Sequence, residues 1–284
     1  MGTLLERMQE MPTQGVALPF RGFVRYRELN GVKLNGVRSH LIPIVLLHGI
    51  GSGSGSWLHQ LSQTSLGHVL AWDAPGYADS SPLKMAEPAA ADYAHVLWAW
   101  LDALQIKEVH LAGHSLGCIM AASAARLQPQ RVKALTLLSP AQGYGTAPLE
   151  VREKKRDERL QAMAQLGLQK MAEQRAPRLL SPQADTEQIQ LATHMMSCLN
   201  EGGYTQATYM LSTADIRSDL QAFKSASNAP IRVACGDQDV ITPPAACQDL
   251  AKFIQAAYTD LPTAGHLCAL QAPQAVSEIF KSSR

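Results

Sequence analysis

A chain of 284 residues with 46% hydrophobic side chains can bury one large core, or one core with an insertion, and its formal net charge of +1 offers no electrostatic case for nucleic acid or an anionic membrane. The five cysteines, Cys118, Cys198, Cys235, Cys247 and Cys268, are odd in number, scattered and without a Cys-x-x-Cys pair, which argues against a disulfide framework and structural zinc and for a reducing compartment. The opening stretch MGTLLERMQEMPTQG has no long apolar run, Glu6 stands where a myristoylation motif needs Ser or Thr, and no apolar segment approaches the roughly 20 residues that span a bilayer, so the expected setting is cytoplasmic.

The first dozen residues read as a loose arm. Phe23 to Leu29 and Val32 to Val37 then read as two strands of a hairpin, with Asn30-Gly31 as the turn and Asn35-Gly36 as the alternative. Ile42 to Leu47 is a mostly apolar run of strand length, as expected of a strand covered on both faces. It leads into the glycine-rich loop His48 to Trp57. This loop comes close to a dinucleotide-binding pattern, yet no acidic residue closes the next strand in the way a ribose requires, and the Gly-Lys-Ser or Gly-Lys-Thr of a Walker loop is missing, so no nucleotide cofactor is expected. His68 to Trp72 reads as a strand, Ala89 to Leu104 as an amphipathic helix, and Val132 to Ser139 as another buried strand. Strands alternating with helices imply a mostly parallel sheet covered on both faces.

After Pro140 the pattern changes. Glu150 to Arg159 mixes both charge signs on a solvated helix, further helical segments follow around Glu187 to Leu199 and Thr205 to Thr213, and no strand pattern returns until Ile231 to Cys235. A helical insertion of this kind over the strand ends would form a lid, in which Met195, Met196 and Met210 read as packing. A helix Pro244 to Ile254, a strand Ala257 to Leu261 and a closing helix Pro273 to Phe280 complete the chain.

The chemistry centres on Gly113-His114-Ser115-Leu116-Gly117, between the strand that starts at Val109 and a helix of small and aliphatic residues. A G-x-S-x-G turn in this context holds a serine in a strained conformation above the sheet edge, with the helix amino end aimed at it. Serine needs an imidazole and a group that orients it. In an open parallel sheet only the loops after strands converge on one crevice. His266, after the last strand, is the candidate base, and Asp239 or Asp237, after the strand ending at Cys235, the orienting acid, with Asp239 at the loop tip preferred. His114 is expected to pack or hydrogen-bond beneath the turn. The oxyanion donors are expected from the amide of Leu116 and that of Ile50, with Gly51 as second choice. Cys118 and Cys268 have neither base nor orienter and read as bystanders.

These segments, His48-Gly49, Asp73-Ala74-Pro75-Gly76-Tyr77-Ala78-Asp79-Ser80, Gly113 to Gly117, Gly236 to Pro243 and Gly265-His266, resemble in order and context the α/β-hydrolase superfamily. The resemblance implies an α/β-hydrolase fold, with a mostly parallel eight-stranded sheet and helices on both faces; together with the helical insertion read above it divides the chain into a core of residues 1–143 and 226–284 and an inserted helical lid of residues 144–225. It spans nearly all of the sheet; the lid contributes nothing to it. Within the superfamily, His48 to Trp57 is similar to the loop of the meta-cleavage-product hydrolases, which cleave carbon-carbon bonds. Those enzymes usually carry tryptophan after the base, where Leu267 stands here, and a lid arginine that binds a carboxylate, for which Arg175 and Arg178 are the candidates. The pattern is equally similar to small esterases and enol-lactonases.

Gly49, Gly51, Trp57 and Leu267 are the expected pocket residues, with Trp57 and Tyr77 readable either as pocket walls or as loop anchors. The leading expectation is hydrolysis of a small carboxylic ester or lactone, a small-molecule substrate, without metal or cofactor. Carbon-carbon bond hydrolysis by the same residues is the alternative, and a small-molecule binding protein on a hydrolase scaffold is the third.

Overall fold

The structure, a computed structural model, describes residues 2–30 and 42–283. The expected strand Val32 to Val37 and both of its candidate turns lie wholly or partly outside the described residues. The first residues are no loose arm. They form helix α1 (Leu4–Glu10), closed by a capping box in which the Glu6 amide donates to Thr3 Oγ1 at 3.2 Å and the Thr3 amide to Glu6 Oε2 at 2.8 Å. Leu4 and Met8 of α1 are buried, so a short amphipathic helix wins here by docking rather than by length. Strand β1 (Gln14–Leu18) follows and pairs antiparallel with β2 (Gly22–Leu29), so the hairpin partner of β2 precedes it in sequence.

The chain continues through β3 (Ile44–Leu47), the one-turn helix α2 (Leu58–Leu61), β4 (Val69–Trp72), α3 (Ala90–Ala103), β5 (Val109–His114), α4 (Leu116–Leu127) and β6 (Val132–Leu138). Helices α5 (Leu149–Arg175), α6 (Thr186–Ser197), α7 (Glu201–Thr213) and α8 (Ile216–Ala226) separate β6 from β7 (Ile231–Gly236). Helix α9 (Pro244–Phe253), β8 (Ala257–Leu261), α10 (Cys268–Gln271) and α11 (Pro273–Lys281) end the chain. The eight strands form one sheet in the order β1-β2-β4-β3-β5-β6-β7-β8, antiparallel at β1-β2-β4 and parallel from β4 to β8.

Strands β3, β4 and β5 are buried at every position, which is why they read as apolar runs without alternation. Their side chains nevertheless divide between two cores. Val45, Leu47, Leu70, Trp72 and Leu111 join α3 and α4 on one face, and Ile44, Leu46, Val69, Ala71 and Ala112 join Trp57, Leu61, Val276 and Phe280 on the other. Helix α5 packs on both α6 and α7 above the carboxyl ends of the strands. Helix α5 is broken at Gly167, where φ 70 and ψ 164 leave the helical region for one that only glycine adopts readily. Helix α8 falls inside the expected lid segment, yet it packs on α4 of the core, buries Leu220 and Phe223, and pairs Asp219 with Arg126 at 3.0 Å. The excursion over the strand ends therefore stops before α8.

Candidate active site

Ser115 sits between β5 and α4 at φ 53 and ψ −116, a strained conformation for a residue with a side chain. Its backbone is held on both sides: the Ser115 amide donates to Leu138 O at 2.9 Å, and its carbonyl accepts from Cys118 at 3.0 Å and Ala141 at 3.3 Å. The flanking glycines permit the turn. A Cβ on Gly117 would lie 2.1 Å from Leu47 O, and one on Gly113 would lie 2.4 Å from Gly117 O. Only glycine lets α4 approach β3 and β5 this closely.

His266 and Asp239 meet from the loops after β8 and β7. Asp239 Oδ2 accepts from His266 Nδ1 at 2.8 Å, which places the imidazole proton on Nδ1 and leaves Nε2 with its lone pair. Asp239 Oδ1 accepts from the amides of Ile241 at 2.8 Å and Thr242 at 3.0 Å. Burial alone would raise the Asp239 carboxyl, but the hydrogen bond and charge of His266 and the Thr242 and Ile241 amides hold it well below the ordinary carboxylate range. Asp237 is exposed, and its amide closes the turn on Leu261 O at 3.1 Å; the structure brings Asp239, and not Asp237, to His266. Ser115 and His266 line the same cavity, and among the described residues no hydrogen bond joins the Ser115 hydroxyl to His266. Unliganded nucleophile–base pairs are commonly long and tighten on substrate.

The imidazole of His114 lies beneath the turn and donates from Nε2 to the His266 carbonyl at 2.7 Å, with ring centroids 4.8 Å apart. Burial, reinforced by His266, pushes His114 down to about 3, so it is a neutral strut for the loop that carries His266. His48 plays a comparable part on the other side. Its Nδ1 donates to Gly49 O at 2.8 Å, its Nε2 accepts from the Ala74 amide at 3.0 Å, and burial lowers its basicity. Tyr77 OH donates to Ile50 O at 3.0 Å, fixing the peptides of the same loop. Asp73, raised by burial, accepts from the Ser54 amide at 2.7 Å and hydroxyl at 3.0 Å. Within this braced loop, and among the described residues, the amides of Ile50 and Gly51 donate no hydrogen bond, and neither does that of Leu116.

Ser115, His266, His114, Leu116, Ile50 and Gly51 line a cavity of about 680 Å³, within the range of small-molecule sites. Gly49, Gly51 and Leu267 line it as expected from sequence. Trp57 does not. It is fully buried behind the loop, between His114 and Phe280, with centroids 6.4 and 6.5 Å away, and Tyr77 is likewise an anchor rather than a wall. Met196 lines the cavity and its methyl group lies against Gly51, whereas Met195 and Met210 are packed outside it. The roof carries Lys155, Arg159, Arg175 and Arg178 with the single acid Glu158, and Arg175 Nη1 donates to Tyr204 OH at 3.0 Å. Burial pushes the Cys268 thiol up to about 12 and the Cys118 thiol up as well, so both are inert.

Sequence reasoning missed Thr242. Its hydroxyl lies 2.8 Å from Asp239 Oδ2 and 3.2 Å from His266 Nδ1. The local signal was present in Asp239-Val240-Ile241-Thr242, since an Asp accepting from amides two and three residues on is a turn that an Asp-x-x-Thr sequence favours. Of the cationic roof, Arg175 and Arg178 were candidates in the sequence and both line the cavity, whereas Lys155 and Arg159 carried no such signal, because which face of α5 meets the cavity depends on how the helix lies over the sheet.

Comparison with known proteins agrees with this fold. A chain from Pseudomonas putida named dihydrolipoyllysine-residue acetyltransferase component of acetoin cleaving system is 28% identical over 244 residues, or 83% of this chain; the alignment spans only 61% of that relative's length. Among solved structures, an esterase from Thermogutta terrifontis superposes with a TM-score of 0.80 at 21% identity, covering 95% of this chain and 97% of that one. An enol-lactonase from Burkholderia xenovorans superposes with a TM-score of 0.76 at 19% identity, covering 95% and 98%. At such identities the likeness speaks for the fold alone. The alpha/beta hydrolase fold family matches residues 42–273, and the chain belongs to that family.

Proposed function

We propose that the chain is a serine hydrolase of small carboxylic esters or lactones. The observation that carries this reading is one cavity that collects a strained serine, a histidine with its Nδ1 proton held by a buried carboxylate, and backbone amides that donate to no other group among the described residues. His266 Nε2 takes the proton of Ser115 as Oγ attacks the carbonyl carbon, and the oxyanion is received by the amides of Leu116 and Ile50. Collapse of the tetrahedral intermediate breaks the bond to the leaving oxygen, which recovers the proton from His266. Water activated by the same imidazole then releases the acid and frees Ser115. Asp239 holds the tautomer and stabilises the imidazolium throughout. Five unpaired thiols among the described residues support a reducing, cytoplasmic setting for this reaction.

The test is hydrolysis of p-nitrophenyl acetate and butyrate by the wild type beside Ser115→Ala. We expect turnover to fall by a factor on the order of 10⁴ or more in the variant. Hydrolysis at the wild-type rate by folded Ser115→Ala would sink the reading.

Carbon-carbon bond hydrolysis is the second reading, and the cationic roof favours it. Arg175 and Arg178, with Lys155 and Arg159, give the cavity an excess of positive charge suited to a substrate that carries a carboxylate. A ring-cleavage dienoate bearing a carboxylate should then be turned over in preference to the simple esters. Equal or lower specificity for the dienoate counts against it.

A further inference from the structure

We propose that Thr242 is a positioning residue of the triad, which passes carboxylate charge to His266 by rotating one hydroxyl; this rests on the reading of Ser115, His266 and Asp239 as a catalytic triad. The Thr242 hydroxyl is placed where three strand ends meet. It lies 2.8 Å from Asp239 Oδ2 in the loop after β7, 3.2 Å from His266 Nδ1 in the loop after β8, and 3.0 Å from the carbonyl of Ser139 just after β6. Ser139 is itself held out of ordinary backbone space at φ 46, with its amide bonded to Ala234 O at 2.8 Å. The strand end β6 therefore contributes a fixed acceptor, and Thr242 is the side chain that reaches it.

The accounting of protons gives this contact its consequence. A threonine hydroxyl has one proton and two lone pairs. Two acceptors compete for the proton, Asp239 Oδ2 and Ser139 O, while one donor, His266 Nδ1–H, faces the lone pairs. The other carboxylate oxygen, Oδ1, is already engaged by the Ile241 and Thr242 amides. With the hydroxyl proton on Oδ2, part of the carboxylate charge is spent on Thr242. When His266 takes the serine proton and becomes an imidazolium, rotation of the hydroxyl toward Ser139 O leaves that charge to Nδ1–H and presents a lone pair to it as well. No bond is made or broken in this step beyond the exchange of one hydrogen bond for another.

A threonine that merely staples the loop would act through its packing, so the test separates the hydroxyl from the methyl group. Thr242→Val keeps the volume and removes the hydroxyl, and Thr242→Ser keeps the hydroxyl and removes the methyl. Two readouts are used on each. One is the low-field proton resonance of His266 Nδ1–H, assigned by its loss in His266→Gln, and the other is the rate constant for phosphonylation of Ser115 by a p-nitrophenyl alkylphosphonate. We expect Thr242→Val to shift or broaden the resonance and slow phosphonylation by about tenfold to a hundredfold, as for loss of a hydrogen bond to a charged group. Thr242→Ser is expected to recover most of both. An unmoved resonance in Thr242→Val, or a Ser variant as impaired as the Val variant, overturns the proposal. If the wild type reacts with neither ester nor phosphonate, the hydrolase reading falls, and the resonance alone still decides the role of Thr242. Should Thr242→Val fail to fold, Thr242→Ala carries the same comparison.

Discussion

Asp239 is the residue whose surroundings decide most about the pH behaviour of the site. Its carboxyl is held well below the value of about 3.9 expected for a free aspartate, chiefly because His266 and two loop amides outweigh the burial that would raise it. A group with a depressed folded value contributes its full stability above the unfolded value and loses it as the pH falls toward the folded one. The stability difference between wild type and Asp239→Asn, measured by denaturant titration, should therefore shrink as the pH falls below about 4. Asp73, raised by burial, carries the opposite sign, but it is present in both proteins and cancels in the difference. Turnover of Asp239→Asn should fall on the order of 10⁴-fold, because the amide no longer enforces the Nδ1–H tautomer of His266. A stability difference that grows toward acid pH would contradict this account of Asp239.

At the scale of elements, the helices α5 to α7 are fastened where the chain brings them onto the sheet and its loops. The backbone of α7 lies directly on the loop after β4, where a Cβ on Gly203 would come 2.0 Å from Gly76 O. Gln206 locks the contact by accepting from the Leu83 amide at 3.2 Å and donating to the carbonyls of Leu83 at 2.8 Å and Met85 at 2.7 Å. Helix α1 adds a second fastening from the opposite end of the sequence. Its Leu4 amide donates to Glu187 of α6 at 3.1 Å, Met8 packs against Gly55 of the loop after β3, and the Met8 carbonyl accepts from Arg27 at 3.4 Å. Because Met8 is buried at the junction of α6, the loop after β3 and β2, Met8→Ala should cost about 2 to 5 kcal/mol in denaturant unfolding. A cost below about 0.5 kcal/mol, the scale of a surface substitution, would show that α1 is not docked in solution.

For the molecule as a whole, what could be read before folding was whatever is encoded within a few neighbouring residues. Buried parallel strands announce themselves as apolar runs, as in Ile44–Leu47 and Val109–His114, and the alternation of strand and helix implied the sheet that the structure contains. Ser115, Asp239 and His266 could be named because each follows a strand in a short glycine-bearing loop, so local pattern and sheet topology together point to one crevice. The misread segments are those whose conformation is set by distant partners. Helix α1 is too short to hold itself without α6 and the sheet; β1 is an edge strand of five residues; Trp57 looks the same in sequence whether it faces a cavity or a core; and α8 reads like the helices before it until its apolar face meets α4. Sequence by itself therefore determined the alternation of strands and helices after Ile44 and the loops that bear the candidate site residues, since backbone propensity, turn chemistry and hydrophobic period act over a few residues. Only the tertiary structure decided the placement of Lys155 and Arg159 in the cationic roof, the burial of Trp57 against Phe280 and the meeting of Thr242 with His266 and Ser139, 24 and 103 residues away, because each depends on packing between segments distant in sequence, for which no local rule exists.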